Sequence, residues 1–170
     1  MNYKGLLFLD IDGTFFRWSL FLYMVDKLIE AGVFNEVIRK HFSEEERLWR
    51  ERQGSYDDYL TKVIEIFEAR ISGVHVRDFE VLAAEMVAEY KNQVYRFTRD
   101  LVKEKIRDNW YVAAISCSPE EAVEPFASAW GIHCRVRLVN APSAGERLNR
   151  FFRRTADCRD IPVVADFLFN

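Results

Sequence analysis

Two aspartates, a glycine and a threonine follow the first apolar segment of the chain. That segment covers residues 6–9, and Asp10, Asp12, Gly13 and Thr14 come directly after it. Side chains alternate along a strand, so the two carboxylates should leave its end on the same side. Two like charges so close together are costly unless a cation lies between them, and Mg²⁺ prefers such oxygen ligands. The spacing therefore predicts a Mg²⁺ site, with Gly13 allowing a sharp turn or the close approach of a ligand.

Two buried strands must position these residues. Residues 6–9 are four apolar residues in a row, which is typical of a strand buried on both faces. Residues 110–115 predict a second strand of this kind, which ends next to Ser116. Residues 118–121 then combine a capping box with proline at the first helical position, so they predict a helix start. A strand, helix and strand alternation predicts a doubly wound α/β sheet.

Residues 18–94 contain amphipathic helical patterns and no convincing strand. Their predicted helix N-caps are Ser19, Asn35, Ser43, Ser55 and Asp78. A further helix is predicted over residues 99–107. We interpret residues 18–94 as an all-helical domain inserted into an α/β core made of residues 1–17 and 95–170. A plain helical bundle is the alternative, but it does not explain the flanking strands.

The C-terminal segment differs in composition from the rest of the chain. Residues 133–170 contain seven Arg and no Lys, whereas residues 1–132 contain ten Arg and seven Lys. Only residues 162–165, just before Asp166, predict a strand. The C-terminal part of the core is therefore expected to be atypical or incomplete, through divergence or a shifted reading frame.

The overall composition is that of an ordinary soluble protein. Of the 170 residues, 49% are hydrophobic and 30% are charged, and the formal net charge is −3. This balance gives no electrostatic reason to expect nucleic acid as a partner. No apolar run approaches the roughly 18 residues of a membrane span, and no separate apolar leader precedes the first strand. Three cysteines without metal-type spacing favour a reduced, cytoplasmic protein, and nothing in the sequence predicts its oligomeric state.

Two segments carry a resemblance to a known family. Residues 6–14 resemble motif one of the haloacid dehalogenase superfamily, whose phosphatase branch has Asp-x-Asp-Gly-Thr after a hydrophobic strand. Residues 113–120 resemble its motif two, an apolar strand that ends in Ser. Together with residues 123–126 and 130–132, they are most similar to the phosphoserine-phosphatase-like branch. The resemblance implies a Rossmann-like core in which the helical insert is a cap.

The resemblance also implies an activity. The family's phosphatases cleave small phosphate monoesters through an aspartyl-phosphate, which would make Asp10 the nucleophile and Asp12 the general acid and base. Mg²⁺ would be bound by Asp10, by the Asp12 carbonyl and, in a weaker match, by Asp166. The substrate would be a small phosphorylated metabolite whose identity the sequence does not predict. A catalytically impaired or truncated relative that only binds a ligand or partner is the alternative.

The predicted phosphate-binding residues match those of the family only in part. Thr14 and Ser116 offer hydroxyls and the turn at Gly13 offers backbone N–H groups for the phosphoryl oxygens. The family then supplies a Lys or Arg, but no Lys follows Lys105, so Arg147 is the predicted substitute, with Arg150 as a second choice.

The acidic motif near the end of the chain is also a loose match. The family has a strand ending in Asp or Gly-Asp, with another acid four residues later. Here Asp166 follows Ala165, and the residue four positions on is Asn170. A site without that further acid should bind Mg²⁺ weakly.

Other interpretations of these residues are weaker. A calcium loop would need its glycine at the sixth position, whereas Gly13 is fourth from Asp10. A glycosyltransferase Asp-x-Asp site would need a nucleotide-binding half before Asp10. Chance surface acids on a turn are a further alternative. Cys117 lacks the Arg that a cysteine phosphatase has six residues later, and is better read as a packed thiol. Residues 15–18 belong either to the core or to a substrate entrance.

Overall fold

A computed structural model describes residues 3–137 and 165–168. Helices dominate, and the strands are short. In chain order the elements are β1 (Leu6–Asp10), α1 (Leu20–Glu30), a 3-10 helix (Glu36–His41), α2 (Ser43–Arg50), α3 (Tyr56–Ile71), α4 (Val76–Tyr90), α5 (Arg96–Arg107), β2 (Tyr111–Ser116), α6 (Glu120–Ala129), β3 (Cys134–Arg137) and β4 (Ala165–Leu168).

The four strands form one parallel sheet in the order β3-β2-β1-β4. The two predicted strands, β1 and β2, lie side by side at its centre, and Leu6 pairs with Tyr111. Almost every side chain of these strands is buried, as expected of a parallel sheet covered on both faces. The predicted α/β fold class is confirmed.

The chain divides into two compact units, Met1–Phe21 with Ala84–Asn170 and Leu22–Ala83. The second unit is entirely helical in structure. Its interior is aromatic, with Trp49 stacked on Tyr59 at a ring-centroid distance of 5.7 Å, and with Phe67 between Phe34 and Phe79 at 6.2 Å from each. The predicted insert ran from residue 18 to residue 94, and its role as a cap stays a prediction.

Phe15 and Phe16, which follow the acidic loop, belong to the core of the sheet-containing unit. Both side chains are 0% exposed. Phe15 meets Phe126 and Trp130 edge to face, with ring centroids 5.7 and 5.3 Å apart, and Phe16 meets Phe126 at 5.3 Å. The alternative in which these two rings line a substrate entrance is therefore wrong.

Two of the predicted helix starts in the helical unit are confirmed. The Ser55 hydroxyl accepts a hydrogen bond from Asp58 N at 3.0 Å at the start of α3. Asn35 Oδ1 accepts one from Val37 N at 2.9 Å at the start of the 3-10 helix. Both partners lie within three residues, which is why local sequence rules find them.

Three other helix starts differ from their predictions. Ser43 is the first residue of α2 rather than its N-cap, and its hydroxyl donates to Lys40 O of the preceding 3-10 helix at 3.3 Å. Asp78 lies inside the first turn of α4, where His75 Nδ1 instead accepts a hydrogen bond from Arg77 N at 3.2 Å. The helix α5 begins at Arg96, three residues before its predicted start.

The described C-terminal strands also differ from the sequence-based expectation. The strand β3 was not predicted, and β4 begins at Ala165, where the predicted strand was to end. Arg147 lies outside the described residues. Within the described part of the chain, no helix is long and apolar enough to cross a membrane.

Candidate active site

The ends of the two central strands bring the predicted site residues together. Asp10 is the last residue of β1 and pairs with Ile115, and Ser116 is the last residue of β2. The pairing continues one step further, since Ile11 N donates to Ile115 O at 3.1 Å. The carboxyl edge of a parallel sheet is where ligands bind in open α/β folds. This edge is the candidate active site.

The loop after β1 is a tight turn folded around one carbonyl. The N–H groups of Thr14, Phe15 and Phe16 all donate to Ile11 O, at 3.4, 3.1 and 2.8 Å. Gly13 has a φ of 81°, which side-chain-bearing residues rarely adopt. Its N–H donates to Phe16 O and Trp18 O, both at 3.0 Å. Carbonyl groups of the same loop therefore accept hydrogen bonds from the N–H groups of residues 13–16, which were expected to face a phosphoryl group.

Asp10 is partly exposed at the end of its strand. The Thr14 hydroxyl donates to Asp10 Oδ2 at 2.7 Å and so fixes one oxygen of the carboxylate. Burial, and to a lesser extent the charge of Asp12, raise the pKa of Asp10, although the hydrogen bond from Thr14 opposes this. Thr14 is thus placed against the predicted nucleophile.

Asp12 lies among several hydrogen-bond donors. Its Oδ2 accepts hydrogen bonds from the hydroxyls of Ser116 at 2.6 Å and Ser118 at 3.0 Å. Its Oδ1 accepts one from Leu20 N at 2.6 Å. Burial raises the pKa of Asp12 despite these donors. The Ser116 hydroxyl hydrogen, predicted to hold a phosphoryl oxygen, therefore points to Asp12 in this structure.

One predicted helix cap is corrected here. The first N–H of α1, Leu20 N, is bound by Asp12, which lies eight residues before it, while the N-cap predicted at Ser19 stays a prediction. At α6 the N-cap is Pro119, and no side chain caps that helix. The Ser118 hydroxyl, predicted to cap it, donates to Asp12 and accepts a hydrogen bond from Phe21 N at 3.1 Å.

Ser118 is the residue of this site that sequence reasoning missed. Its side chain is 4% exposed, and that of Ser116 is 3% exposed. Ser118 N also donates to Ser116 Oγ at 3.0 Å, which ties the two serines together. No local pattern could have revealed the role of Ser118, because its partner Asp12 lies 106 residues away in sequence.

The chemistry of the two carboxylates fits a divalent cation. In the described residues no salt bridge involves Asp10 or Asp12, so their charges are not balanced by Lys or Arg there. Carboxylate and carbonyl oxygens are the ligands that Mg²⁺ accepts. Nevertheless, among the side chains that the structure describes, no group of three or more His, Cys, Asp or Glu converges on a metal site.

The backbone register places Asp166 away from the carboxyl edge. Asp166 pairs with Leu7, three residues before Asp10 on β1, which corresponds to about 10 Å along a strand. The pairing of Leu168 with Leu9 is closer to the candidate site. The backbone of Asp166 therefore lies level with Leu7, and its role as a third metal ligand stays a prediction.

Cys117 lies between the two serines and is exposed as a residue rather than fully packed as predicted, although its sulfur is partly buried. Burial of its sulfur, and then the charges of Asp12 and Asp10, raise the pKa of this thiol. A nucleophilic cysteine requires the opposite, a pKa lowered by nearby positive charge. Cys117 is therefore poorly suited to be the nucleophile.

Solved structures share this arrangement of elements. A protein with unknown function from Bordetella pertussis Tohama I has a TM-score of 0.64 and 13% sequence identity, over 90% of this chain and 75% of that chain. A phosphoserine phosphohydrolase-like protein from Francisella tularensis subsp. tularensis SCHU S4 has a TM-score of 0.53 and 16% identity, over 95% of this chain and 76% of that chain. The chain shares the fold of this phosphoserine phosphohydrolase-like protein.

At these identities the likeness establishes the fold alone. The prediction of a phosphoserine-phosphatase-like α/β fold is confirmed. No protein-family model matches the sequence, and no curated protein matches it either.

Proposed function

We propose that this protein is a phosphohydrolase that cleaves a small phosphate monoester through Asp10. The observation that carries the proposal is the contrast between two carboxylates at one edge of the sheet. Asp10 is partly exposed and is held by Thr14 at one oxygen, whereas Asp12 is held at both oxygens by Ser116, Ser118 and Leu20 N. One group is accessible for attack, and the other is fixed for proton transfer. The fold supports the same function.

In the proposed reaction, an Asp10 carboxylate oxygen attacks the phosphorus atom and the bond to the leaving oxygen breaks. Asp12 gives its proton to that oxygen, and an aspartyl-phosphate forms. Asp12 then takes a proton from the water that attacks the phosphorus, which releases phosphate and restores Asp10. The raised pKa of Asp12 suits this exchange, because it increases the protonated fraction near neutral pH.

Mg²⁺ fits the proposal as a cofactor. The Asp10 carboxylate and the Asp12 carbonyl would hold it, with Asp166 as the predicted further ligand. When bound, it supplies positive charge against the phosphoryl oxygens. Arg147 is the predicted side chain for the remaining phosphoryl charge, in place of the family's Lys.

The test is phosphate release from 4-nitrophenyl phosphate, with Mg²⁺ and with excess EDTA. We expect turnover that requires Mg²⁺ and falls by at least about a thousandfold in Asp10→Asn, since removal of a nucleophile has effects of this order. Asp57→Asn, which changes an exposed carboxylate in the first turn of α3, is the matched control and should keep full activity. A folded wild-type chain without turnover would contradict the proposal.

Binding without turnover is the second candidate function. It is favoured by the register that sets Asp166 opposite Leu7 and by the Ser116 hydroxyl that donates to Asp12. In that case, calorimetry should detect Mg²⁺-dependent binding of inorganic phosphate that Asp10→Asn weakens, while no phosphate ester is hydrolysed. Hydrolysis by the wild-type chain would exclude this alternative.

A further inference from the structure

We infer that Ser118 is a positioning residue whose hydroxyl fixes the Asp12 carboxylate against the first turn of α1. The inference concerns the proton-transfer group of the proposed phosphohydrolase and therefore rests on that proposed function. Ser118 itself has no part in the reaction as described above. Its contribution is to hold Asp12 in the orientation from which a proton can reach the leaving oxygen.

Ser118 forms hydrogen bonds with two groups, the Asp12 carboxylate and the Phe21 amide. Its hydroxyl donates to Asp12 Oδ2 at 3.0 Å and accepts a hydrogen bond from Phe21 N at 3.1 Å. The preceding amide, Leu20 N, donates to the other oxygen of Asp12 at 2.6 Å. Asp12 and Ser118 therefore bind two consecutive N–H groups at the start of α1, where a helix leaves such groups without internal partners. With both oxygens held, the plane of the carboxylate is fixed.

The surroundings leave the Ser118 hydroxyl little freedom to do anything else. Its side chain is 4% exposed, so water cannot easily replace it. The helix that it precedes, α6, receives no side-chain cap from it. Its backbone N–H is bound to Ser116 Oγ at 3.0 Å, and Ser116 in turn donates to the same oxygen of Asp12 at 2.6 Å. The two serines thus converge on one carboxylate oxygen.

Loss of the Ser118 hydroxyl should disturb Asp12 more than it disturbs the fold. In Ser118→Ala, Phe21 N loses the Ser118 hydroxyl as an acceptor, and Asp12 Oδ2 loses one of its donors while Ser116 still donates to it. The carboxylate then gains freedom to rotate away from Leu20 N. General acid catalysis depends on geometry within hydrogen-bond reach, so a rotated Asp12 should transfer its proton less well.

Amide hydrogen exchange tests the structural half of the inference without any need for activity. In Ser118→Ala we expect Leu20 N to exchange about tenfold faster or more, the factor expected for loss of a hydrogen bond to a charged group. Leu20 is the informative amide because its partner is Asp12, whereas Phe21 loses its acceptor directly. Ser118→Thr keeps the hydroxyl and should keep Leu20 protected. Unchanged exchange at Leu20 in the alanine variant would overturn the inference.

Ser55→Ala is the matched control, because it also removes a serine hydroxyl that binds an N–H at the start of a helix. It should accelerate exchange at Asp58 N and leave Leu20 unchanged. Faster exchange at Leu20 in both variants would mean a general loss of stability, and would also overturn the inference.

Kinetics with two leaving groups tests the functional half. A poor leaving group such as a simple alkyl alcohol needs the proton from Asp12, whereas 4-nitrophenolate leaves readily without it. Ser118→Ala should therefore lower kcat for an alkyl phosphate by about 10- to 100-fold, with KM little changed and a much smaller loss for 4-nitrophenyl phosphate. Equal losses for both substrates would overturn the positioning role. If the wild-type chain hydrolyses neither, the proposed function fails, and the exchange at Leu20 alone decides whether Ser118 holds Asp12.

Discussion

The start of α1, in the sheet-containing unit, differs from three helix starts in the helical unit. In Leu22–Ala83 the polar side chains at helix starts bind N–H groups two or three residues further on, as Asn35, Ser55 and His75 do. In the sheet-containing unit, the start of α1 is bound by Asp12 and by Ser118, whose hydroxyl reaches Phe21 N across 97 residues of sequence. The same backbone requirement is met locally at these three helix starts and over long range at the start of α1.

This difference locates the candidate site independently of any motif. Residues 118–121 have the sequence of a helix cap. The Ser118 hydroxyl nevertheless donates to the Asp12 carboxylate, in the loop that follows β1. Some polar side chains do not form the local hydrogen bonds that their sequence favours. Such side chains are expected at functional sites. Here these side chains all meet at Asp12.

The largest loss of stability should come from removing Asp12, the hydrogen-bond acceptor at the start of α1. Asp12→Ala leaves Leu20 N and the hydroxyls of Ser116 and Ser118 without their partner, and unsatisfied buried donors cost free energy. Relief of the buried charge offsets part of this loss. We expect the free energy of unfolding, measured with urea, to fall by about 2 kcal/mol.

Asp10→Ala provides the contrast at the same edge of the sheet. Burial raises the pKa of Asp10, so its ionised form is unfavourable in the folded protein at neutral pH. Its removal should leave the urea midpoint at or above the wild-type value. Equal destabilisation by the two alanine variants would show that Asp12 has no special structural role.

A smaller effect is expected for a local cap. Ser55→Ala removes the acceptor of Asp58 N and should lower the free energy of unfolding by about 1 kcal/mol. Ser55→Asp should restore it, because aspartate caps helices as well as serine does. Failure of aspartate to restore stability, measured by the same urea titration, would mean that Ser55 acts through something other than its local cap.

The sequence predicted what depends on neighbouring residues and missed what depends on distant ones. The apolar runs of β1 and β2 and the cap at Ser55 are set by periodicity and local hydrogen bonding, and all three were found. The residues Asp10, Asp12 and Ser116 were singled out because each follows or ends a strand, and the structure brings them together.

The errors have the opposite cause. The role of Ser118 depends on a partner 106 residues away. The short strand β3 has no alternation or apolar run of its own, and its assignment rests on pairing with β2. None of these quantities is encoded in a local pattern.

The smallest expected effect on stability concerns His133. Its Nδ1 accepts a hydrogen bond from Val112 N at 3.1 Å, 21 residues away, whereas His75 binds only two residues on. Burial lowers the pKa of His133, and an Nδ1 that accepts must be unprotonated. Below its ordinary pKa of about 6.5 the unfolded chain therefore binds more protons, so stability should fall as the pH drops from 7.5 to 5.5. In urea titrations across this range, the free energy of unfolding should fall more in the wild-type chain than in His133→Asn. An equal pH dependence in the two proteins would contradict this prediction.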